Sequence, residues 1–101
     1  MDDQYWRNEW VYVLVQNPGN REQYVGIWDD QQQSNYIPCF LEKDHAENAI
    51  TVLPLDKQQI YEAQAVRVDM LSQDTSSQGF IMALLDAHGH LLNIIPNQSS
   101  I

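Results

Sequence analysis

The chain has little positive charge. Its 101 residues include 5 Lys and Arg against 14 Asp and Glu, which gives a formal net charge of −9 at pH 7. Binding to nucleic acid and to anionic membrane surfaces depends on Lys and Arg, so the composition argues against both kinds of partner. The acidic surplus has two interpretations: it serves solubility alone, or it attracts a basic segment of another protein.

Cysteine is scarce as well, since Cys39 is the only one. An intramolecular disulfide and a zinc site built on cysteines are therefore excluded. Cys39 lies in an apolar segment next to Phe40, which predicts a buried core residue and not a reactive thiol.

Long apolar runs are missing too. None approaches the roughly 18 residues that a membrane helix needs, and the acidic, aromatic first residues (MDDQYWRNEW) lack the features of a signal peptide. We therefore expect a cytoplasmic protein.

Motifs for catalysis or for a cofactor are absent. The four glycines (19, 26, 79 and 89) are scattered, so no loop is built to cradle a phosphate. Ser72, Ser76 and Ser77 lie near Asp74, but without the G-x-S-x-G turn of a nucleophilic serine. We expect a protein that is not an enzyme and holds no cofactor.

One short segment carries metal-ligand chemistry. His88 and His90 flank Gly89, with Asp86 close by, and two imidazoles with a carboxylate can ligate a divalent metal. Residues two apart across a tight turn usually point apart, however, so a plain hairpin turn is the preferred interpretation. The alternative is a small ligand- or metal-binding regulator or enzyme that uses His88, His90 and Asp86, together with His45.

The residues that are present describe a scaffold. In the stretch 35–54, an apolar strand leads into a helix whose apolar stripe recurs at i, i+3, i+4 and i+7 (Ala46, Ala49, Ile50, Leu53). Asp44 is the expected N-cap, and Pro54 ends the helix. The segment Trp10–Gln16 is apolar on both sides, which is typical of a central strand with both faces covered.

Turn and periodicity signals extend this reading to the whole chain. They predict strands at Trp10–Gln16, Gln23–Trp28, Tyr36–Leu41, Ile60–Val68, Phe80–Leu85 and His90–Ile95, and a second helix at Met70–Gln78 capped by Asp69. Pro38 places the third strand at an edge or at a bulge. The predicted fold is α+β, a single small domain over 1–101 with a mainly antiparallel sheet, the order βββ-α-β-α-ββ, and both helices packed on one face. Residues 1–8 are expected to form a flexible lead-in and residues 97–101 a flexible tail.

Aromatic residues are concentrated in the first 36 positions. Three tryptophans exceed what a core of this size needs, and Trp and Tyr are frequent anchors of protein interfaces. Trp6, Trp10, Trp28, Tyr24 and Tyr36 are the predicted partner-binding residues, with Trp6 and Trp28 the best candidates because each borders a polar turn or tail. The alternative is that these rings cover the sheet internally.

The order of motifs also resembles a known family. VYVLVQNPGN followed by VGIW, then an apolar strand ending in F-x-E-K-D-x-A, then EAQAV-x-V-D-x-L and a late QGF, is similar to DUF3110, a family of small uncharacterised proteins of cyanobacteria and plant plastids. The likeness spans roughly residues 10–80. The N-x-G-T-E-N-E-G-I run usual in that family is broken here by Pro18 and by the segment 21–23, and no functional residue carries over.

The resemblance implies an accessory part in a phototroph. We therefore expect a non-catalytic protein-binding or assembly factor, chaperone-like, that recognises a basic or extended segment of another protein through an aromatic, acidic surface. An open sheet edge could take that segment as an added strand. Assembly of photosynthetic or CO2-fixing complexes, including the carboxysome, is the implied setting, and self-association into a homodimer is a related expectation.

Overall fold

The computed structural model describes residues 6–98 of the chain, which form an α+β fold with two helices and a mostly antiparallel, mixed sheet of seven strands. The strands are β1 (Trp10–Gln16), β2 (Gln23–Tyr24), β3 (Ile27–Asp29), β4 (Ser34–Phe40), β5 (Tyr61–Arg67), β6 (Ile81–Leu85) and β7 (Leu91–Ile95). The helices are α1 (Lys43–Val52) and α2 (Val68–Thr75), and a 3-10 turn at Ser76–Gln78 follows α2. The predicted order βββ-α-β-α-ββ is therefore only roughly right, because a fourth strand precedes α1.

Strand β1 is the centre of the sheet. It pairs antiparallel with β5 along its whole length, and on its other side with β4 and then with β2. Strand β4 also pairs with β3 and, in parallel, with β6, which pairs with β7. The outer strands are thus β5 on one side and β7 on the other.

The two helices lie on opposite faces of the sheet, which corrects the expectation that both pack on one face. Ala46 and Ala49 of α1 pack in one core cluster with Leu14. Leu71 of α2 packs in a second cluster with Val13. Because successive strand residues point to opposite faces, these clusters are two separate layers. The apolar composition of both sides of β1 requires this double cover, as the sequence had indicated for β1 itself.

The expected second strand is two strands with different partners. Tyr24 of β2 pairs with Val15 of β1, whereas Ile27 of β3 pairs with Tyr36 of β4. Gly26 lies between them, and a Cβ built there would be 2.5 Å from the Phe80 ring. The absence of a side chain at this bend therefore lets Phe80 pack directly on the backbone.

Strand β4 is neither an edge nor bulged at its proline. Pro38 is in register with Ala83 of β6, and on the other side it lies where the partner of β4 changes from β3 to β1. A residue without an N–H is tolerated in this gap, because no ladder partner faces it on that side.

Both expected helix caps are wrong by a short distance. The N-cap of α1 is Glu42, which caps without a side-chain hydrogen bond, and Asp44 lies in the first turn. Asp69 lies in the first turn of α2, where its Oδ1 accepts the Met70 N–H. Negative charge in a first turn is favourable to the helix dipole, so both carboxylates still stabilise the start of their helix.

The ends of the described chain are docked. Trp6 is buried against the α2 side of the sheet, and the Asp69 N–H donates to the Arg7 carbonyl. Gln98 is also buried, and its N–H donates to Ser72 Oγ at 3.0 Å. Trp6 and Gln98 are thus buried, whereas the expected flexibility of residues 1–8 and 97–101 stays a prediction, and residues 1–5 and 99–101 lie outside the described range.

Candidate functional site

The structure does not gather the five predicted aromatic residues into one patch. Trp6 is a core residue, 7% exposed, so the expectation that its ring faces solvent is wrong. Trp10 and Trp28 are 59% and 50% exposed, but they lie on opposite faces of the sheet and at opposite ends of it, as the registers of β1, β3 and β4 show.

Tyr24 lies on the α2 side in a polar cleft of about 680 Å³, lined also by Glu22, Asp74 and Phe80. Its hydroxyl donates to Asp74 Oδ2 at 2.9 Å. Burial, then this hydrogen bond and the charge of Asp74, raise the pKa of Tyr24 to about 12. Tyr24 is therefore a neutral hydrogen-bond donor at physiological pH, and it fastens β2 to α2.

An uncovered apolar surface lies on the opposite side, at the start of β6 and over β7. Helix α1 packs mainly on β5, β1 and β4 and reaches the β6–β7 turn, where the Asn48 side chain donates to the Ala87 carbonyl at 2.6 Å. It leaves Ile81 and most of β7 exposed. We call this surface the open face; its residues share one side of β4, β6 and β7 (Tyr36, Ile81, Ala83, Leu85, Leu91 and Ile94). Leu91 is 59% exposed, Ile94 47% and Ile81 36%, whereas Ala83 and Leu85 are buried in the core cluster of α1 and form only the floor of this surface.

The open face forms the floor and one wall of a groove of about 590 Å³ that runs along β6. At one end stands the turn between β3 and β4, with Asp29, Gln31, Gln32 and Ser34; at the other end stands Gly89 of the β6–β7 turn. None of the residues that line the groove belongs to α1. The groove is therefore a separate depression beside α1, in the size range of binding sites.

The electrostatic character of the groove is acidic. Asp29 Oδ1 accepts the N–H groups of Gln31 and Gln32 at 2.9 and 3.3 Å, which fixes the carboxylate at the rim. Burial, and then the charge of Asp29, raise the pKa of Tyr36, so the negative field of Asp29 reaches the open face. No Lys, Arg or His is among the described residues that line the groove.

The backbone at the outer edge of β7 is poorly placed to pair with another strand, although the side chains of β7 are exposed. A register irregularity occurs where Leu84 faces Asn93 and Leu85 faces Leu91, so Leu92 is an extra residue without an opposite partner. The Ile94 N–H donates to the Asn93 side chain at 2.9 Å. A bulge and an internally bonded amide both hinder the addition of another strand.

The histidine turn has a structural explanation. Asp86 Oδ1 accepts the N–H groups of both His88 and His90 at 2.9 Å, and these bonds lower the pKa of Asp86. The two imidazole ring centres are 6.3 Å apart. Within residues 6–98, no group of three or more His, Cys, Asp or Glu side chains is placed to hold a metal ion.

Comparisons of the chain with protein-family models, with curated proteins and with solved structures found no match. The resemblance to DUF3110 therefore stays a prediction. Among the described residues, no helix is long and apolar enough to cross a membrane.

Sequence reasoning missed the open face, apart from Tyr36. The signal was present in the last strand, whose residues (LLNII) carry no charge and show no alternation of polar and apolar positions. A strand of this kind is expected between two neighbours, yet β7 pairs only with β6. An apolar strand at the edge of the sheet leaves apolar side chains exposed, and this mismatch indicates the open face.

Proposed function

We propose that the chain is a non-catalytic protein-binding factor that holds a segment of another protein on its open face. The observation that carries the proposal is the exposure of Ile81, Leu91 and Ile94 side by side on a sheet face that α1 leaves uncovered. Contiguous apolar surface rimmed by polar residues is typical of an interaction site. The acidic rim and the net charge of −9 favour a basic segment.

The proposal replaces the aromatic patch with an aliphatic one. Of the five predicted aromatic anchors, Tyr36 lines the groove. Trp28 is half exposed on the other face, where its Nε1 donates to Asp30 Oδ1 at 2.6 Å. Trp28→Ala should therefore leave partner binding unchanged, whereas changes on the open face should weaken it.

The setting of this activity follows from the resemblance alone. We propose an accessory factor in the cytoplasm of a phototroph, acting in the assembly of photosynthetic or CO2-fixing complexes. The rival role as a metal- or ligand-binding regulator is less well supported, because Asp86 Oδ1 is bonded to the backbone of its own turn and no third ligand stands near these side chains within residues 6–98.

Affinity capture from a cyanobacterial lysate, compared across matched variants, tests the proposal. Leu91→Thr with Ile94→Thr removes two aliphatic side chains from the groove, and Thr is β-branched, a shape that suits a strand. Leu92→Thr is the matched control, because Leu92 is 57% exposed on the same strand but does not line the groove. We expect one protein to be captured by the wild type and by the control, and lost from the double variant.

The opposite result is equally specific. A protein that is captured equally by the wild type, the control and the folded double variant would place its binding site elsewhere. The open-face proposal would then be wrong, and no captured protein at all would contradict the binding role itself.

A further inference from the structure

We propose that the segment bound on the open face is an amphipathic α-helix that lies along β6 beside α1, with a Lys or Arg next to Asp29. This inference rests on the proposed function and specifies the kind of partner. It differs from the expected strand addition, because it uses the side chains of the sheet face and not the backbone of the β7 edge.

Helices that lie side by side on a sheet have a characteristic spacing. Helix α1 packs on β5, β1 and β4, so it is centred on β1. Neighbouring helices pack about 8–10 Å apart, and neighbouring strands lie about 4.8 Å apart. A second helix in the same layer is therefore centred two strands away from β1. That strand is β6, because the sheet order runs β1-β4-β6-β7.

The groove has a floor and a wall at that position. Ala83 lies at the centre of β6 between Ile81 and Leu85. It is buried and forms the floor, so the exposed side chains Ile81, Leu91 and Ile94 are the ones that a bound helix can contact. Leu91 and Ile94 of β7 form the wall that faces away from α1. This is the arrangement of a helix in an apolar groove, in which anchors recur at i, i+3, i+4 and i+7.

The length of β6 sets the size of the helix. Five residues at about 3.3 Å each span roughly 17 Å. A helix rises about 1.5 Å per residue, so about 11 residues, or three turns, cover β6 from the β3–β4 turn to Gly89.

The edge of β7 is poorly suited to the competing mode of binding, in which a strand is added to it. The bulge at Leu92 breaks the regular spacing of the edge, and the Ile94 N–H is already bonded to Asn93. An added strand needs that row of amides and carbonyls free and regularly spaced. The edge is therefore protected, whereas the face beside it is not.

The negative charge at one end of the groove favours a basic residue on the bound helix. Asp29 stands at one end with Oδ1 bonded to backbone amides, and Oδ2 has no hydrogen bond to any described residue. No cationic side chain among the described groove residues competes for it. A Lys or Arg of the bound helix can pair with that oxygen, which favours basic over acidic partners.

Three 15-residue probe peptides test the inference by fluorescence anisotropy with the full chain. The first has leucines at i, i+3, i+4, i+7 and i+8 and lysines on the opposite side. The second has the same composition with leucines at alternating positions, which is the pattern of a strand. The third has the helical pattern with glutamate in place of lysine. We expect the first peptide to bind at least about ten-fold more tightly than either of the others, a difference of about 1.4 kcal/mol.

Protein variants locate the bound peptide. Leu91→Thr with Ile94→Thr removes the exposed aliphatic wall of the groove and should abolish binding of the first peptide, while the edge of β7 keeps its backbone. Asp29→Asn keeps an oxygen acceptor for the two turn amides but loses the charge, so it should reduce the preference for lysine over glutamate. Leu92→Thr should have no effect, and circular dichroism should show the bound peptide becoming helical.

The outcomes separate the inference from the proposed function. Tighter binding of the strand-pattern peptide, unaffected by Leu91→Thr with Ile94→Thr, would show strand addition and would overturn the helix while leaving a protein-binding role. A dimer of the chain that dissociates in Leu91→Thr with Ile94→Thr would identify the occupant as a second copy, and would overturn the helix as well. If none of the three peptides binds, and if the open-face variants capture the same lysate proteins as the wild type, both proposals are rejected.

Discussion

Replacement of Gly89 by alanine should reveal how firmly the β6–β7 turn is held against α1. Gly89 has φ +83°, and a Cβ built there would lie 3.1 Å from Leu53 Cδ2 at the end of α1. Gly79 is the matched control, because it has φ +81° and its Cβ would meet nothing within 4 Å. Both alanine variants are destabilised by the left-handed backbone conformation, and only Gly89→Ala also brings a Cβ into contact with α1.

The two effects can be given magnitudes. Alanine in the left-handed region is destabilising by roughly 1–2 kcal/mol, which applies to both variants. Apolar carbons prefer separations of about 3.5–4.0 Å, and crowding of a packed site is destabilising by about 1–3 kcal/mol. Leu53 is only partly buried and can shift, so we take the low end and expect Gly89→Ala to lose about 1 kcal/mol more than Gly79→Ala.

Urea unfolding followed by tryptophan fluorescence measures this difference, provided that the denaturant dependence is the same in all variants. For a domain of this size, a loss of 1 kcal/mol lowers Tm by about 4–8 °C. Leu53→Ala should relieve the contact, so the Gly89→Ala and Leu53→Ala changes should be non-additive in the double variant. Equal losses for the two glycine variants, with additive behaviour at Leu53, would show that the turn does not pack on α1, and the reasoning would be refuted.

Three further predictions concern titrating groups. Because the pKa of Tyr24 is raised to about 12, ultraviolet titration should show one tyrosine ionising last. The contribution of Tyr24 to stability should be complete below pH 10 and lost as the pH rises through 12. Tyr24→Phe should abolish both effects. Burial raises the pKa of Cys39 to about 12, so the thiol should react with Ellman's reagent only in denaturant, and fast reaction of the native protein would contradict its burial. The pKa of Asp86 is lowered by two backbone amides of its turn. The stabilising effect of the Asp86 carboxylate should therefore be present at neutral pH and lost as the pH falls below the ordinary carboxyl range. Asp86→Ala should flatten that part of a curve of Tm against pH.

Local sequence patterns were sufficient to predict the strands and helices whose bounds do not depend on the elements that they pack against. Strand β1 was predicted with the bounds Trp10–Gln16 that the structure has, because its length and its β-branched residues favour a strand in any context. Helix α1 was predicted to start two residues late and to end one residue late, since the stripe that includes Ala46 and Ala49 admits one apolar face but does not fix the cap. The strand from residue 80 to 85 and the turn that follows it were also recognisable, the turn from Gly89 in the left-handed region.

Features that depend on distant pairing were not predictable in this way. The segment around Gly26 reads as one strand, and only its two partners, β1 and β4, divide it. The placement of α2 on the face opposite α1 depends on the direction in which the chain leaves β5 at Val68, where no loop intervenes. The burial of Trp6 likewise depends on α2, so its position near a polar terminus predicted the wrong environment.

The open face shows the same limit for function. Leu91 and Ile94 are apolar residues that any core would accept, and their exposure follows from two facts that are not local. Strand β7 is the last in the sheet order, and α1 covers the other half of that face. Sequence reasoning selected tryptophan and tyrosine because these residue types are frequent in interfaces, whereas residue type alone does not show which side chains remain uncovered.

The parallel pairing of β4 with β6 has a consequence for how the β6–β7 hairpin is attached. It brings Tyr36 next to Ile81, and the pairing of β1 with β5 brings Gln16 next to Tyr61, so both halves of the sheet require the closure of an equally long loop, and such closure is slow. Strands β6 and β7, by contrast, pair with each other across a short turn, and within residues 6–98 this hairpin pairs with the rest of the sheet only through β4. Amide hydrogens of the hairpin should therefore exchange with solvent as a separate unit. A partner that binds there would slow this exchange selectively.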